Sequence, residues 1–388
     1  MPWPAIARNH SETTIIIGIK IMRRESAAYL KRIYKTICSG WGSPEHQAEA
    51  FANAILAGDL LGKDMQGMGI AMIVHLMQQH GQVNFSAEPT VEQDGGNYMV
   101  INGNRGIGQY VMTDAMERTI AKAKASTFAV SLVHNWHDIG CASAYSRIAL
   151  EHDCIGILTV NSVSQTAPWG GRELKMSAPP FSYACPAGTA PPIIGDVSMS
   201  GIYETYLSKA ILEGRKLSSK CVIDPFTGEL TDDPLPYIKH PEHRAAPMSA
   251  APVFPNVKLY VMNVFLEIIT GILTPGGSTC PQMEYPGMEV LEENPGKQLT
   301  RGGGAFLMVI NIADLMPIDS FKAKVDEWVC TLKQGKLQKG FDEILLPGEM
   351  AQREEQDRLE NGVPIQEHYW NGICEMAKEL NIDLESLR

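Results

Sequence analysis

The chain has 388 residues, long enough for one large domain or two to three smaller ones and for a core that needs neither disulfides nor a metal to hold it. Its composition is ordinary for a globular protein, 44% hydrophobic and 20% charged. The net charge of −11, with only short and scattered basic clusters, argues against nucleic acid, while a nucleotide cofactor stays open because backbone amides and one or two cations suffice to hold it.

Residues 1–21 carry no clear periodicity and read as an extension; the apolar run Ile15–Ile19 is shorter than a signal-peptide core, and no stretch approaches the roughly twenty apolar residues of a membrane span. A soluble protein with no membrane partner is therefore expected. Residues 24–38 place Ala27, Leu30, Ile33 and Ile37 at helical spacing, and Gly40-Trp41-Gly42 breaks the pattern. Ser43-Pro44-Glu45 starts a second helix with Ala48, Phe51, Ala52, Ile55 and Leu56 as its apolar stripe, and a third is expected over 69–80. From Val83 the texture changes. Short Val- and Ile-rich runs at 89–92, 98–102, 128–134, 155–161 and 193–196 predict strands, with helices at 109–124 and 141–153 between them. A helix over 200–216, an irregular Pro-rich arm over 222–256, a buried helix over 258–273, a loop over 278–304, a strand over 305–313, an amphipathic helix over 318–333 and a charged helical tail from Met350 complete the order. Eight cysteines are spread along the chain with no CxxC pair, the pattern of reduced thiols in a cytoplasmic protein.

Three constellations have chemical content. Gly103-Asn104-Arg105-Gly106-Ile107-Gly108 leads into a helix, and it serves equally as an anion-binding turn or as a tight strand-to-helix connection. Its spacing is GxxGxG, and no acidic residue ends the next strand, so it is not a Rossmann fingerprint. That strand ends instead in His134-Asn135-Trp136-His137-Asp138-Ile139-Gly140. A histidine there suits proton transfer because its unperturbed pKa of about 6.5 lies near neutrality. Two structural histidines are the competing reading. No metal is expected, since His134 and His137 would face opposite sides of a strand and no ligand spacing is recognisable. The third is the polar loop Asn161-Ser162-Val163-Ser164-Gln165-Thr166-Ala167-Pro168-Trp169-Gly170-Gly171, which suits a cofactor's amide and phosphate groups or is a plain connection.

Taken in order, the motifs resemble the malate/L-lactate dehydrogenase family, which includes sulfolactate and ureidoglycolate dehydrogenases and piperideine-carboxylate reductases. The matching stretches are Asp59–Gly67, Gly103–Gly108, His137–Gly140, Ala167–Gly171, Pro192–Ser200, Asp224–Asp233, Lys258–Leu273, Gly302–Ile310 and Leu346–Glu349. The resemblance implies a sulfolactate-dehydrogenase-like, non-Rossmann α/β fold, with a mixed sheet flanked by helices. A mainly helical lobe of residues 22–84 and 318–388 would join a sheet-containing, cofactor-binding lobe of 85–317. It also implies NAD or NADP as cofactor, a small-molecule substrate and a homodimer. By the same resemblance His137 is the catalytic acid/base. The cofactor would lie against Asn161, Ser162, Pro168, Gly170 and Gly171, then Ser177, Ala178 and Pro179, then Gly302, Gly303 and Gly304.

The substrate segment departs from the family pattern. Where the family has Asp-Ser-His-Gly-Val-x-Arg, this chain reads Asp64-Met65-Gln66-Gly67-Met68-Gly69-Ile70. Met65, Gln66 and Ile70 are expected to line the substrate pocket, and isoleucine cannot grip a carboxylate as arginine does. The expected activity is hydride transfer to or from a 2-oxo or 2-hydroxy acid, ketone or cyclic imine in an atypical pocket. Any carboxylate would be held by another cation, for which Arg172 and Lys258 are candidates. The alternative is a catalytically degenerate member acting as a partner or regulatory subunit.

Overall fold

The computed structural model describes residues 21–161, 164–202, 206–207, 210–211, 214–224, 227–234, 251–252, 257–276 and 303–388. Three amphipathic helices come first. In α1 (Ala27–Gly40) the Ser26 side chain accepts from the Tyr29 amide at 3.2 Å and so caps the helix, while Leu30, Ile33, Tyr34 and Ile37 form the buried stripe. Helix α2 (Glu45–Leu60) buries Ala48, Phe51, Ala52 and Ile55, and α3 (Met68–Gln79) buries Met68, Ile70, Ala71, Val74 and Met77. Strand β1 (Ile21–Glu25) begins one residue inside the expected extension because it pairs antiparallel with β12 (Val363–Gln366), 338 residues further on by the Glu25–Val363 register. That strand also interrupts the tail expected to be helical throughout, which instead folds as α8 (Glu349–Asn361), β12 and α9 (Glu367–Glu379). The apolar faces of α1, α2, α3, β12 and α9 share one core, with Tyr369, Trp370, Ile373 and Met376 packed against the N-terminal helices.

The second core lies on a seven-stranded sheet in the order β2-β3-β4-β11-β5-β6-β7. Its strands are β2 (Thr90–Asp94), β3 (Tyr98–Ile107), β4 (Phe128–His137), β5 (Cys154–Val160), β6 (Pro180–Cys185), β7 (Ile193–Ser198) and β11 (Ala305–Asn311). Only β3 and β4 run parallel, joined by the crossover helix α4 (Gly108–Ser126); the other neighbours are antiparallel. One βαβ unit in an otherwise antiparallel sheet is not a Rossmann sheet. Val111, Met112, Ala115, Met116 and Ile120 of α4 meet Ala129, Val133, Leu158, Leu307 and Val309 of the sheet. The α/β fold with a mixed sheet is thus as expected.

The glycine-rich stretch is built by sterics. Three residues of β3 (Gly103, Asn104, Arg105) stand opposite the single residue Asn135 of β4, a bulge in which Asn104, Arg105 and Asn135 all have positive φ. A Cβ on Gly108 would lie 2.2 Å from the His137 carbonyl oxygen, and one on Gly103 would lie 2.9 Å from that of Asn135. Glycine lets α4 start directly against the end of β4. Among the described residues the helix expected over 141–153 is a short α5 (Ser143–Ser146) followed by a 3-10 stretch (Arg147–His152), and β6 is a strand the sequence did not reveal. The arm after residue 222 contains the short strands β8 (Val222–Ile223), β9 (Leu230–Thr231) and β10 (Ala251–Pro252) in a small antiparallel sheet. Helix α6 (Val257–Glu267) continues into a π-helical turn, Ile268–Ile272. Helix α7 (Ile318–Lys333) has the bounds expected of it. Its Asp326 accepts from the Gly188, Thr189 and Ala190 amides rather than entering the N-terminal core. Among the described residues no helix is long and apolar enough to cross a membrane, and no three His, Cys, Asp or Glu side chains are grouped to hold a metal ion.

Candidate active site

The loop that leaves β4 is held on every side. The Asp138 carboxylate accepts from the Gly140 amide at 3.0 Å, and the Tyr145 hydroxyl donates to the Ile139 carbonyl at 2.5 Å. Gly140, at φ 69°, lies so close to the segment 64–70 that a Cβ there would be 2.6 Å from the Gln66 carbonyl oxygen and 3.5 Å from Ile70 Cγ1. Two stretches separated by about seventy residues, one carrying His137 and one carrying the expected substrate side chains, therefore touch.

The two histidines of β4 divide. His134 meets Glu92 at 2.9 Å, an ordinary surface partnership that fits a structural role. His137 is buried, and neither of its ring nitrogens has a partner among the described residues. Burial, aided by the positive charge of Arg105, pushes its pKa from 6.5 down to about 4. Gln109, on the first turn of α4, is fully buried with both amide atoms unpartnered as well, and nothing in the sequence pattern singled it out. Buried polar atoms normally have partners, so the imidazole and the amide, on either side of the β3–β4 pairing end, keep unused hydrogen-bonding capacity among the described residues.

The segment 59–70 is anchored by Asp59. Its carboxyl accepts from Tyr34 Oη at 2.7 Å and from the Met68 amide at 2.8 Å, and burial raises its pKa from 3.8 to about 7. Arg358 of α8 donates to the Asp59 carbonyl at 2.6 Å and pairs with Asp64 at 2.7 Å, tying the C-terminal helices to the segment. Of the three expected substrate residues, Gln66 is exposed and Ile70 is buried next to Gly140. The Met65 sulfur accepts from Tyr369 Oη at 2.7 Å.

A neighbour missed by sequence reasoning is the Lys63–Asp196 pair, with Nζ 2.5 Å from Oδ2. The Ser143 amide donates to the same oxygen at 3.1 Å and the Cys141 thiol reaches it at 3.5 Å. Burial lowers the affinity of the Lys63 amine for its proton, but Cys141 and Asp196 outweigh that and hold its pKa above the usual lysine value. Asp196 lies within the Pro192–Ser200 stretch, so its motif was visible in the sequence, but its ion pair with a residue 133 positions away was not.

The expected cofactor residues that are described fall in three groups. Asn161 donates its amide to the Gly304 carbonyl at 2.9 Å, and its Oδ1 accepts from the Gly304 amide at 2.6 Å. A Cβ on Gly303 would lie 2.5 Å from the Asn161 carbonyl oxygen, which explains the glycines. Ser177 donates through its amide to Glu267 Oε1 at 2.8 Å, and its carbonyl accepts from Asn263 Nδ2 at 3.1 Å, so that Asn263 Oδ1, a buried acceptor without a partner among the described residues, sits beside it. Ala178 and Pro179 continue from Ser177 to β6. Pro168, Gly170 and Gly171 form a turn closed by the Gly171 amide on the Pro168 carbonyl at 2.8 Å, with Gly170 at φ 84°. Ser162 and Gly302 lie outside the described residues. Arg172 and Lys258 are both exposed, and Arg172 Cδ lies beside the Gly228 turn. The Leu346–Glu349 motif is structural: Gly348, at φ 95°, packs against the Ile194 carbonyl, and Glu349 accepts from the Leu346 amide at 3.2 Å.

The sequence profile of a family described as malate/L-lactate dehydrogenase matches residues 26–374. An L-sulfolactate dehydrogenase of Methanocaldococcus jannaschii is 28% identical over 92% of this chain and 96% of its own length. A hydroxycarboxylate dehydrogenase B of Escherichia coli O157:H7 is 26% identical over 94% and 96%. The solved structure of sulfolactate dehydrogenase from Methanocaldococcus jannaschii superposes with a TM-score of 0.81 at 26% identity, covering 94% of this chain and 99% of that one.

Proposed function

This chain belongs to the malate/L-lactate dehydrogenase family, and from that premise we propose that it is a cytoplasmic, NAD- or NADP-dependent oxidoreductase that interconverts a small 2-hydroxy acid and its 2-oxo acid. The observation that carries this reading is His137, a buried imidazole with two unpartnered nitrogens at the end of a strand whose following loop touches the segment 64–70 at Gly140.

Two buried side-chain amides with unpartnered atoms support a nicotinamide dinucleotide as the coenzyme. A carboxamide needs an acceptor and a donor; Asn263 Oδ1 is a buried acceptor awaiting a donor, and Gln109 offers both kinds of atom. When bound, the dinucleotide supplies or takes up the hydride. His137 does the complementary work. As a neutral imidazole it removes the hydroxyl proton of a hydroxy acid, and as an imidazolium it returns a proton to the oxygen of an oxo acid. The glycines at 303 and 304 let Asn161 close on the strand from β11, and the Pro168–Gly171 turn gives the loop a backbone that can approach a ligand. The Asp138 and Tyr145 hydrogen bonds keep the imidazole's loop from shifting, which preserves the alignment that proton transfer needs.

A homodimer is part of the proposal. Along α6 and the turn after it, Val261, Phe265, Ile268, Ile272 and Leu273 are exposed apolar side chains on one short helical stretch, the kind of patch that a second copy covers.

The experiment is a titration of the protein with NADH and NADPH by fluorescence, followed by turnover on a panel of 2-oxo acids, neutral ketones and cyclic imines. Binding of one coenzyme with turnover of an oxo acid is expected. Coenzyme binding with no turnover across the panel would favour a partner or regulatory role instead, in line with the changes at Met65, Gln66 and Ile70.

A further inference from the structure

A cleft of about 480 Å³ is bordered by Trp41, Gln78, Asn84, Phe85, Ser86 and Arg105. Arg105 is the only charged side chain on its described border, in a chain whose net charge is −11. The β3 bulge presents it there. Its backbone, at φ 63°, is held by the Asn84 amide, which donates to the Arg105 carbonyl at 2.8 Å. Nη2 donates to the Gly81 and Gln82 carbonyls at 2.9 and 3.1 Å, two of the guanidinium's five donors. Nε is buried without a partner, and among the described residues no carboxylate pairs with this arginine. The Trp41 indole, 8% exposed and stacked on His75 at 5.7 Å, likewise keeps Nε1 unpartnered. Both orphaned atoms can only donate, so what this border lacks is an acceptor.

Gly81 lies just past the C-terminal end of α3, whereas Ile70 sits in its first turn, roughly 15 Å away at ~1.5 Å per residue. The cleft is thus separate from the place where the segment 64–70 meets Gly140. Arg105 is nonetheless coupled to His137. Gly106 and Ile107 pair with Trp136 and His137 in parallel register, and the charge of Arg105 is the one that acts on the imidazole. The neighbouring Asp138 is buried, and burial pushes its carboxyl up.

We propose that this cleft binds a small oxyanion on Arg105, and that its occupancy sets the positive charge felt by His137. The binding half stands on the cleft itself; the coupling half rests on the acid/base reading of His137 given above. An oxyanion offers only acceptors and brings the negative charge that Arg105 lacks. Bound there, it offsets the guanidinium and makes the imidazole easier to protonate, which favours the reducing direction. With the cleft empty, Arg105 keeps the ring neutral.

Sulfate, whose charge is constant over the working pH range, is the probe, with sodium chloride at equal ionic strength as the control. Arg105→Gln removes the cation. Asn84→Asp is the gentler variant: it keeps an oxygen for the Ser86 amide, which donates to Asn84 Oδ1 at 3.2 Å, and adds a negative charge to the cleft. Wild type is expected to bind sulfate by calorimetry beyond the chloride control, with a change in tryptophan emission that Trp41→Phe abolishes. Both charge variants should lose roughly 10- to 100-fold in sulfate affinity, as for a charged hydrogen-bonding partner. The His137 ring, followed by NMR, should titrate at higher pH in wild type with sulfate and in Asn84→Asp without it. Undiminished sulfate affinity in both charge variants, or no binding by wild type beyond chloride, overturns the proposal. A His137 titration that ignores both sulfate and Asn84→Asp overturns its coupling half. Neither measurement uses turnover, so a failure of the dehydrogenase reading shows separately, in the substrate panel.

Discussion

If His137 is the acid/base proposed above, its depressed pKa should give the two directions of the reaction opposite pH profiles. Burial and the Arg105 charge bring the imidazole from 6.5 down to about 4, a shift of about 2.5 pH units that corresponds to ~3 kcal/mol against protonation in the folded protein. At pH 7 the ring is neutral, and charging it costs about 4 kcal/mol, roughly 1.36 kcal/mol for each of three pH units. Oxidation of a hydroxy acid uses the neutral ring as base, so its kcat/KM should stay level from pH 8 to about 5 and fall by half near pH 4. Reduction needs the imidazolium, so its kcat/KM should climb about tenfold per unit as pH drops from 7 toward 4. His137→Gln should remove both dependences and lower turnover by roughly 10²–10⁴ while leaving coenzyme affinity nearly unchanged. The assay is the pH dependence of kcat/KM in both directions for wild type and variant, with enzyme re-assayed at pH 7 after each exposure to acid. A shared inflection near pH 6.5 would refute the reasoning, because it would place the reacting histidine in water rather than in the closed environment seen here. The shift is also a stability term. The native state binds fewer protons at this site between pH 6.5 and 4, so stability present above pH 6.5 is lost as pH falls through that window.

Asp59 acts with the opposite sign. Its carboxyl is raised from 3.8 to about 7, so the folded protein holds an extra proton between those values, and the stabilisation, fully present below pH 4, is lost as pH rises through 7. Asp59→Asn keeps an oxygen for the Met68 amide, and differential calorimetry should show its Tm gaining on wild type from pH 5 to pH 8, by the equivalent of about 3 kcal/mol; a constant difference between the two proteins would show that Asp59 ionises normally. Val261→Glu with Phe265→Glu, both on the exposed face of α6, should convert a sedimenting dimer into a folded monomer. A wild type that sediments as a monomer would remove the dimer from the proposal.

Much of the local architecture was legible from residue order. The apolar spacing of Leu30, Ile33 and Ile37, the Ser43-Pro44-Glu45 start and the amphipathic 318–333 run each name a helix, because a helix is decided by neighbours within four or five positions. The ordered motifs from Asp59 to Glu349 likewise carried the family, and with it the mixed α/β fold. Other features belong to tertiary structure. Strand β6 hides in Pro180-Phe181-Ser182, where a proline opens the strand and burial does not alternate cleanly, and only its pairing with β5 and β7 makes it a strand. The glycines at 103 and 108 look like an anion-binding loop until β4 is laid against them; their job is then to let two backbones touch. The same limit holds at the site. His134 and His137 were expected on opposite faces of their strand, but only the fold gives one a partner in Glu92 and closes the other in a buried interior. Lys63 reads as one charge among many until the fold brings Asp196 to 2.5 Å. Local sequence sets backbone preference and amphipathic period, whereas burial and charge pairing depend on groups far apart along the chain, and only the folded packing brings those together.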